Sequence, residues 1–272
     1  MKTAMLGLLA ETPIHPGTGR SMGVVDLPVA REAATDYPVL VGSSLKGALR
    51  DKAETTARGE ADHRFGKPDQ AGDLLVSDGR LLLLPVRSLT GSYRWVTCPH
   101  LLERYRRDLS RAGLAPKPNV PQVSIRQALA AGNGSVFLEE RQFAISGALP
   151  SDLVDAVTPL VLHDDTQSRL AKQIAVLHDE DFAWFVRYGL SIQARNVLEY
   201  ETKKSKNLWY EETLPPDTVM YTLVLGRSDN ALDALSALFP ESDPYLQAGG
   251  NETVGHGWFA VSVRRARDGG AA

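Results

Sequence analysis

The chain has a single cysteine, Cys98, among 272 residues. No internal disulfide can form, and no second thiolate exists to build a zinc or iron–sulfur site, which points to a cytoplasmic protein. Long apolar runs are missing too: nothing approaches the roughly 18–20 residues a membrane span needs, so no membrane partner is expected. The apolar stretch within 1–10 is followed by Glu11, Thr12 and Pro13 rather than a small-residue cleavage site, and reads as a first strand, not a secretion signal. Neither sign of charge dominates. With 30 Lys and Arg against 33 Asp and Glu the net charge is −3, which excludes a uniformly basic nucleic-acid binder and leaves open one whose cations gather on one face. There is no H-E-x-x-H, no G-x-S-x-G and no Cys/His cluster, so zinc peptidase, hydrolase-elbow and thiol-enzyme chemistries lack their side chains.

What is present describes a folded chain, since a hydrophobic share of 43% is too high for disorder. Residues 3–10 form a buried strand. A connection without regular period covers 13–42, long enough to be functional. Ser43 and Ser44 stand where a helix cap belongs, and Leu45, Ala48, Leu49 and Ala53 recur at helical spacing up to Gly59. A strand is expected at 81–86, an amphipathic helix at 100–111, a short helix at 179–188, extended segments at 190–200 and 207–214, and a strand at 218–225. Ser228 or Asp229 then caps a helix carrying Leu232, Leu235, Leu238 and Phe239, and strands at 245–247 and 258–263 close the chain. Residues 113–178 yield no clear period. The pattern is β-α-β at both ends around a large insertion, a single domain over 1–272 of the α+β class with a ferredoxin-like, RRM-like core.

Four constellations carry chemistry. Ser43, Ser44 and Lys46 open the first helix, where a lysine is locally unfavourable beside the positive end of the helix dipole unless an anion such as a phosphate joins it; an ordinary capped helix with a solvated lysine is the alternative. The run 249–257 holds Gly250, Gly255, His256 and Gly257 between two strands, either as a backbone that aims N–H groups at an anion or as a plain glycine-rich turn. In the long loop, His15 has the chemistry of an acid or base, and Asp26 that of a metal ligand or of a group positioning a hydroxyl; a lone His and a lone Asp in a loop are more often plain surface residues. The hairpin 193–212 interleaves Arg195, Lys203, Lys204 and Lys206 with Tyr200, Trp209 and Tyr210, and ends on Glu211 and Glu212. Such a strand suits phosphates and bases, or is a solvated hairpin with its aromatics on the core.

Taken in order, ETPIHPGTGRSMGVVDLP (11–28), GSSLKGALRD (42–51), SDGRLLLLPVRS (77–88) with VTCP (96–99), NLWYEETLP (207–215) and ETVGHGW (252–258) resemble the repeated backbone subunit of type III-B CRISPR (Cmr) effector complexes, within the RAMP superfamily of RNA-binding proteins. The resemblance runs from near the first residue to near the last. It departs at Asp78, Gly79 and Arg80, and at His256, where an arginine is common.

The resemblance implies a modified ferredoxin-like palm, a helical lid within about 59–178 and a β-hairpin thumb at 193–212. It implies stacked copies along one guide RNA (crRNA), with complementary single-stranded target RNA and the other Cmr subunits as partners. It also implies cleavage of the target at regular intervals with a divalent metal, Mg2+ or Mn2+, and Asp26 as the residue on which cutting and metal binding depend. His15, Glu211 and Glu212 are secondary catalytic candidates. Ser43, Ser44, Lys46, Arg50, Arg195, Lys203, Lys204, Lys206, Gly250, Gly255, His256 and Gly257 become RNA contacts. A non-catalytic scaffold that displays the guide, or a stand-alone endoribonuclease that processes precursor guide RNA, are the alternatives.

Overall fold

A computed structural model describes residues 1–56, 59–228 and 230–266. In chain order its elements are β1 (Lys2–Ala10), β2 (Val39–Leu40), α1 (Gly42–Thr56), α2 (Ala61–Phe65), β3 (Leu74–Val76), β4 (Gly79–Ser88), β5 (Gly91–Thr97) and α3 (Pro99–Arg111). There follow β6 (Gln127–Ala130), β7 (Ser135–Leu138), β8 (Arg141–Gly147), α4 (Ser151–Val157), α5 (Asp164–Gln173), β9 (Ile174–Leu177) and α6 (Asp179–Tyr188). The last are β10 (Ser191–Leu198), β11 (Ser205–Thr213), β12 (Val219–Gly226), α7 (Ala231–Ala237), β13 (Tyr245–Gln247) and β14 (Trp258–Arg265).

Alternation along β1 builds two cores. Ala4, Leu6, Leu8 and Ala10 enter one hydrophobic cluster and Met5 and Leu9 the other, because successive strand side chains point to opposite faces. β1 pairs antiparallel with β14 on one side and β12 on the other, and β12 in turn pairs with β3 and β4. Counting β3 and β4 as the second strand, the order is fourth-first-third-second with α1 and α7 as crossovers, the split βαβ arrangement expected of a ferredoxin-like palm. The fold is therefore α+β.

Residues 59–88 lead into and supply the palm's own second strand, so the added elements run from β5 to the hairpin. They are mixed rather than purely helical: β5, β9, β6, β8 and β7 continue the palm sheet while α3 to α6 pack beside it. The last helix begins after Asn230, while the Ser228 hydroxyl donates to Asp73 and Asn230; Asp229 lies outside the described residues. The departure at 78–80 has local causes. The Asp78 carboxylate accepts from the Gly42 backbone N–H at the start of α1 (2.7 Å), and a Cβ on Gly79 would press on Leu40 and Leu45 at 3.1 Å. Arg80 pairs with Asp108, which also accepts from the Tyr221 hydroxyl.

Cys98 is fully buried, and burial pushes its thiol well above the usual range; the Tyr37 hydroxyl lies 3.7 Å from its sulfur. An inert thiol is the consequence. A thiol-specific disulfide reagent at neutral pH is expected to label none of the native chain and one thiol per chain after denaturation; rapid labelling of the native chain would contradict this burial.

Candidate nucleic-acid interface and cleavage cleft

The long loop is anchored by backbone pairing. Ile14 and Leu214 exchange two hydrogen bonds of 3.0 and 2.9 Å, and Leu27 lies parallel to Glu211, donating to the Tyr210 carbonyl and accepting from the Glu212 N–H, both at 3.0 Å. An isolated bridge between Gly17 and Val29 folds the loop back on itself. The excursion between them leaves Met22 and Val24 fully in solvent. Asp26 is thereby held against the base of the β10–β11 hairpin, where its Oδ2 accepts from the Tyr210 N–H at 2.8 Å.

β11 changes character along its length. Residues 205–208 are exposed while Glu211, Glu212 and Thr213 are buried, so the distal part of the hairpin stands in solvent on a buried base. The two glutamates, being neighbours on a strand, do different things. Glu212 is fully engaged: Oε1 accepts from Arg31 Nη2 at 2.7 Å and Oε2 from the Val29 N–H at 3.0 Å, while its carbonyl accepts from His15 Nδ1 at 2.8 Å. It brackets the loop and has no free oxygen for chemistry, a correction to its place among the catalytic candidates. Glu211 is 1% exposed, and its Oε1 accepts from the Asn251 side-chain amide; its Oε2 is buried with no partner among the described residues.

Asp26 and Glu211 line one cleft of about 270 Å³ with Arg20, Trp209 and Asn251. Beside it an open groove of about 620 Å³ is walled by His15, Gly17, Ser44, Gly250 and Glu252, and Leu27 borders both. His15 therefore belongs to the groove, not the cleft. It is 6% exposed, and since a carbonyl only accepts, its Nδ1 carries the proton toward Glu212.

The predicted RNA contacts separate. Ser43 and Ser44 are not caps: α1 is already helical at Gly42, whose N–H is taken by Asp78, and both serines are exposed in its first turn. Lys46 is exposed next to them and has no partner among the described residues. Arg50 does not face the groove. Its guanidinium donates to Glu54, Asp62 and the Gly66 carbonyl, tying α1 to α2.

Nor is the glycine run an anion cradle at the expected positions. The Gly250, Gly255, His256 and Gly257 N–H groups donate to the carbonyls of His15, Glu252, Asn251 and Pro13. The glycines serve close packing instead: a Cβ on Gly257 would lie 2.4 Å from the Ala248 oxygen and one on Gly249 2.9 Å from that of His15. The His256 ring is half-buried, and its Nδ1 has no partner among the described residues.

The hairpin's basic and aromatic side chains lie mostly in solvent. Lys204 and Lys206 are exposed, Lys203 sits 4.8 Å from the ring centre of Tyr200, and Arg195 lies opposite Trp209. Arg20, Lys46, Arg195, Lys204 and Lys206 have no acidic partner among the described residues, whereas Arg31, Arg50, Arg64, Arg80 and Arg104 are ion-paired away from the cleft. Cations left free around the cleft and groove reconcile a net −3 with a polyanion. Asn251 and Arg31 escaped the sequence reading. The only signal for Asn251 was a residue that tolerates positive φ set among glycines.

Comparison with known proteins decides the family. The sequence profile of the RAMP superfamily matches residues 8–260. The chain belongs to the RAMP superfamily. Among RAMP proteins it is 36% identical to the CRISPR system Cmr endoribonuclease Cmr4 of Pyrococcus furiosus, over 99% of this chain and 98% of that one. The crystal structure of oligomeric Cmr4 from the same organism superimposes with a TM-score of 0.77 at 30% identity, covering 98% of this chain and 100% of that chain. A subunit in the cryo-EM structure of the type III-B Cmr-beta complex bound to cognate target RNA shares the fold, with a TM-score of 0.78 at 19% identity and 97% coverage of each chain. Among the described residues no helix is long and apolar enough to cross a membrane.

Proposed function

We propose that the chain is a backbone subunit of a cytoplasmic type III-B CRISPR effector, binding crRNA in stacked copies beside other Cmr subunits and cleaving the complementary target RNA at regular intervals. One observation carries the catalytic part: Asp26 and Glu211, whose buried Oε2 has no partner among the described residues, line one cleft at the base of an exposed, aromatic and basic hairpin, next to an open groove. The likeness to a Cmr endoribonuclease over nearly the whole chain supports the same reading.

The chemistry asks little of the protein. In an A-form duplex the ribose 2′-hydroxyl is not in line with the phosphate it would attack; displacing one nucleotide frees the backbone to reach that alignment, and much of the acceleration comes from holding it there. The hairpin with Trp209 and Tyr210 acts as the displacing thumb, and the elements added from β5 to α6 serve as the lid. Lys46 and Ser44 contact guide phosphate, and Lys204, Lys206 and Arg195 contact the displaced strand. Asp26 stands where the displaced backbone enters the cleft, placed to orient or deprotonate the attacking hydroxyl.

The donor set also bears on a metal. No group of three or more His, Cys, Asp or Glu side chains converges among the described residues. Two carboxylates, one with a buried oxygen lacking any partner, nonetheless suit a hard divalent ion that takes its remaining oxygens from phosphate and water. Asp26 and Glu211 would hold Mg2+ or Mn2+, which when bound neutralises charge building on the scissile phosphate.

The test is the chain reconstituted with crRNA and its Cmr partners, given end-labelled complementary RNA. Fragments at a constant spacing are expected in magnesium or manganese, none with excess chelator, and none from non-complementary RNA. Tight target binding without fragments would establish the scaffold alternative, and cutting of repeat-containing precursor by the isolated chain the processing one.

A further inference from the structure

Residue 251 faces a different way from its neighbours. Gly249, Gly250 and Glu252 line the groove, while Asn251 lines the cleft with Asp26 and Glu211. Its backbone is left-handed, φ 65° and ψ 29°, a conformation asparagine tolerates better than other side-chain-bearing residues. The turn locks it there, because the Asn251 carbonyl accepts from the N–H groups of Val254 and His256 at 3.1 and 3.2 Å. From this fixed point its side-chain amide donates to Glu211 Oε1, the one side-chain hydrogen bond that Glu211 makes among the described residues.

We propose that Asn251 is a positioning residue for RNA cleavage: it fixes the Glu211 carboxylate so that the unpartnered Oε2 serves the cleft shared with Asp26. The inference rests on the cleavage reading above and goes beyond it, because the residue doing the positioning belongs to the loop that floors the groove. A buried carboxylate without that amide would be free to turn, and its contribution to an in-line transition state would be lost while substrate binding stayed intact.

Asn251→Gly is the clean variant, since glycine adopts the left-handed backbone without strain and removes only the amide. Asn251→Asp keeps the size and the backbone but replaces the donor with a second carboxylate. In the guide-bound complex at saturating target, single-turnover cleavage is expected to fall about ten-fold or more in Asn251→Gly and further in Asn251→Asp, with target affinity within about two-fold of wild type. In a Glu211→Gln background, where the carboxylate that Asn251 would position is already gone, Asn251→Gly is expected to add nothing. A wild-type rate in Asn251→Gly, or fully additive losses in the double variant, would overturn the proposal. So would a loss of guide binding in both variants in step with a lowered melting temperature, which would make Asn251 a loop-folding residue. Asp26→Asn run alongside separates the two levels: if it too cuts normally, the cleavage reading falls; if it is inactive while Asn251→Gly is normal, only the role of Asn251 falls.

Discussion

Asp26→Asn in the assembled complex is expected to lower single-turnover target cleavage by about 10²–10⁴-fold, the range for losing a positioned acid–base or charge-stabilising group. Guide loading, assembly and target affinity should remain within about two-fold. The substitution isolates chemistry because, among the described residues, the one hydrogen bond the Asp26 side chain makes is as acceptor from the Tyr210 N–H, and the asparagine carbonyl can accept the same bond. The loop pairing at Leu27 is made by backbone and is untouched. Lys46→Ala should do the opposite. Losing one phosphate contact weakens guide binding and flattens its salt dependence by roughly one unit of slope per contact, with little effect on the rate of bound target. An Asp26→Asn complex cutting at the same sites and rate would remove Asp26 from the reaction, and a matched loss of binding would make it a folding residue.

The palm was legible because its elements are long and their periods strong. The run at 3–10 became β1, the helical stripe of Leu45, Leu49 and Ala53 became α1, and 179–188 is α6 to the residue. The middle was illegible for a physical reason. β6, β7 and β9 are four residues each, too short to show a period, and β9 follows α5 with no glycine or proline between them. The cleft was half legible. Sequence placed Asp26 in a functional loop and two glutamates at the hairpin base, but not which glutamate faces the cleft, since that depends on the register of Leu27 against Glu211. It also credited N–H groups at 250, 255 and 257 to an anion when the chain at 13–15 and the turn itself had already taken them.

The two glutamates make that point measurable. Glu212→Ala is expected to destabilise the chain by about 3 kcal/mol, the lower end of the range for breaking a buried ion pair, because the Arg31 side chain keeps 17% exposure and two carbonyl partners, Asp36 and Val186. The loss combines a stranded cation with a Val29 N–H that no longer has an acceptor. For a chain of this size that corresponds to a melting temperature lower by about 6–12 °C. Glu211→Ala should move the melting temperature little. It removes one hydrogen bond to Asn251 but also a buried oxygen that has no partner, and relief of that desolvation offsets the lost bond. Adjacent residues of one strand thus divide the labour, Glu212 holding the loop to the hairpin and Glu211 spending stability on an oxygen kept free for the cleft. Thermal melts of the two variants, read with cleavage rates well below either midpoint, check this. A Glu211→Ala chain that melts lower than Glu212→Ala, or a Glu212→Ala chain that melts like wild type, would reverse the assignment.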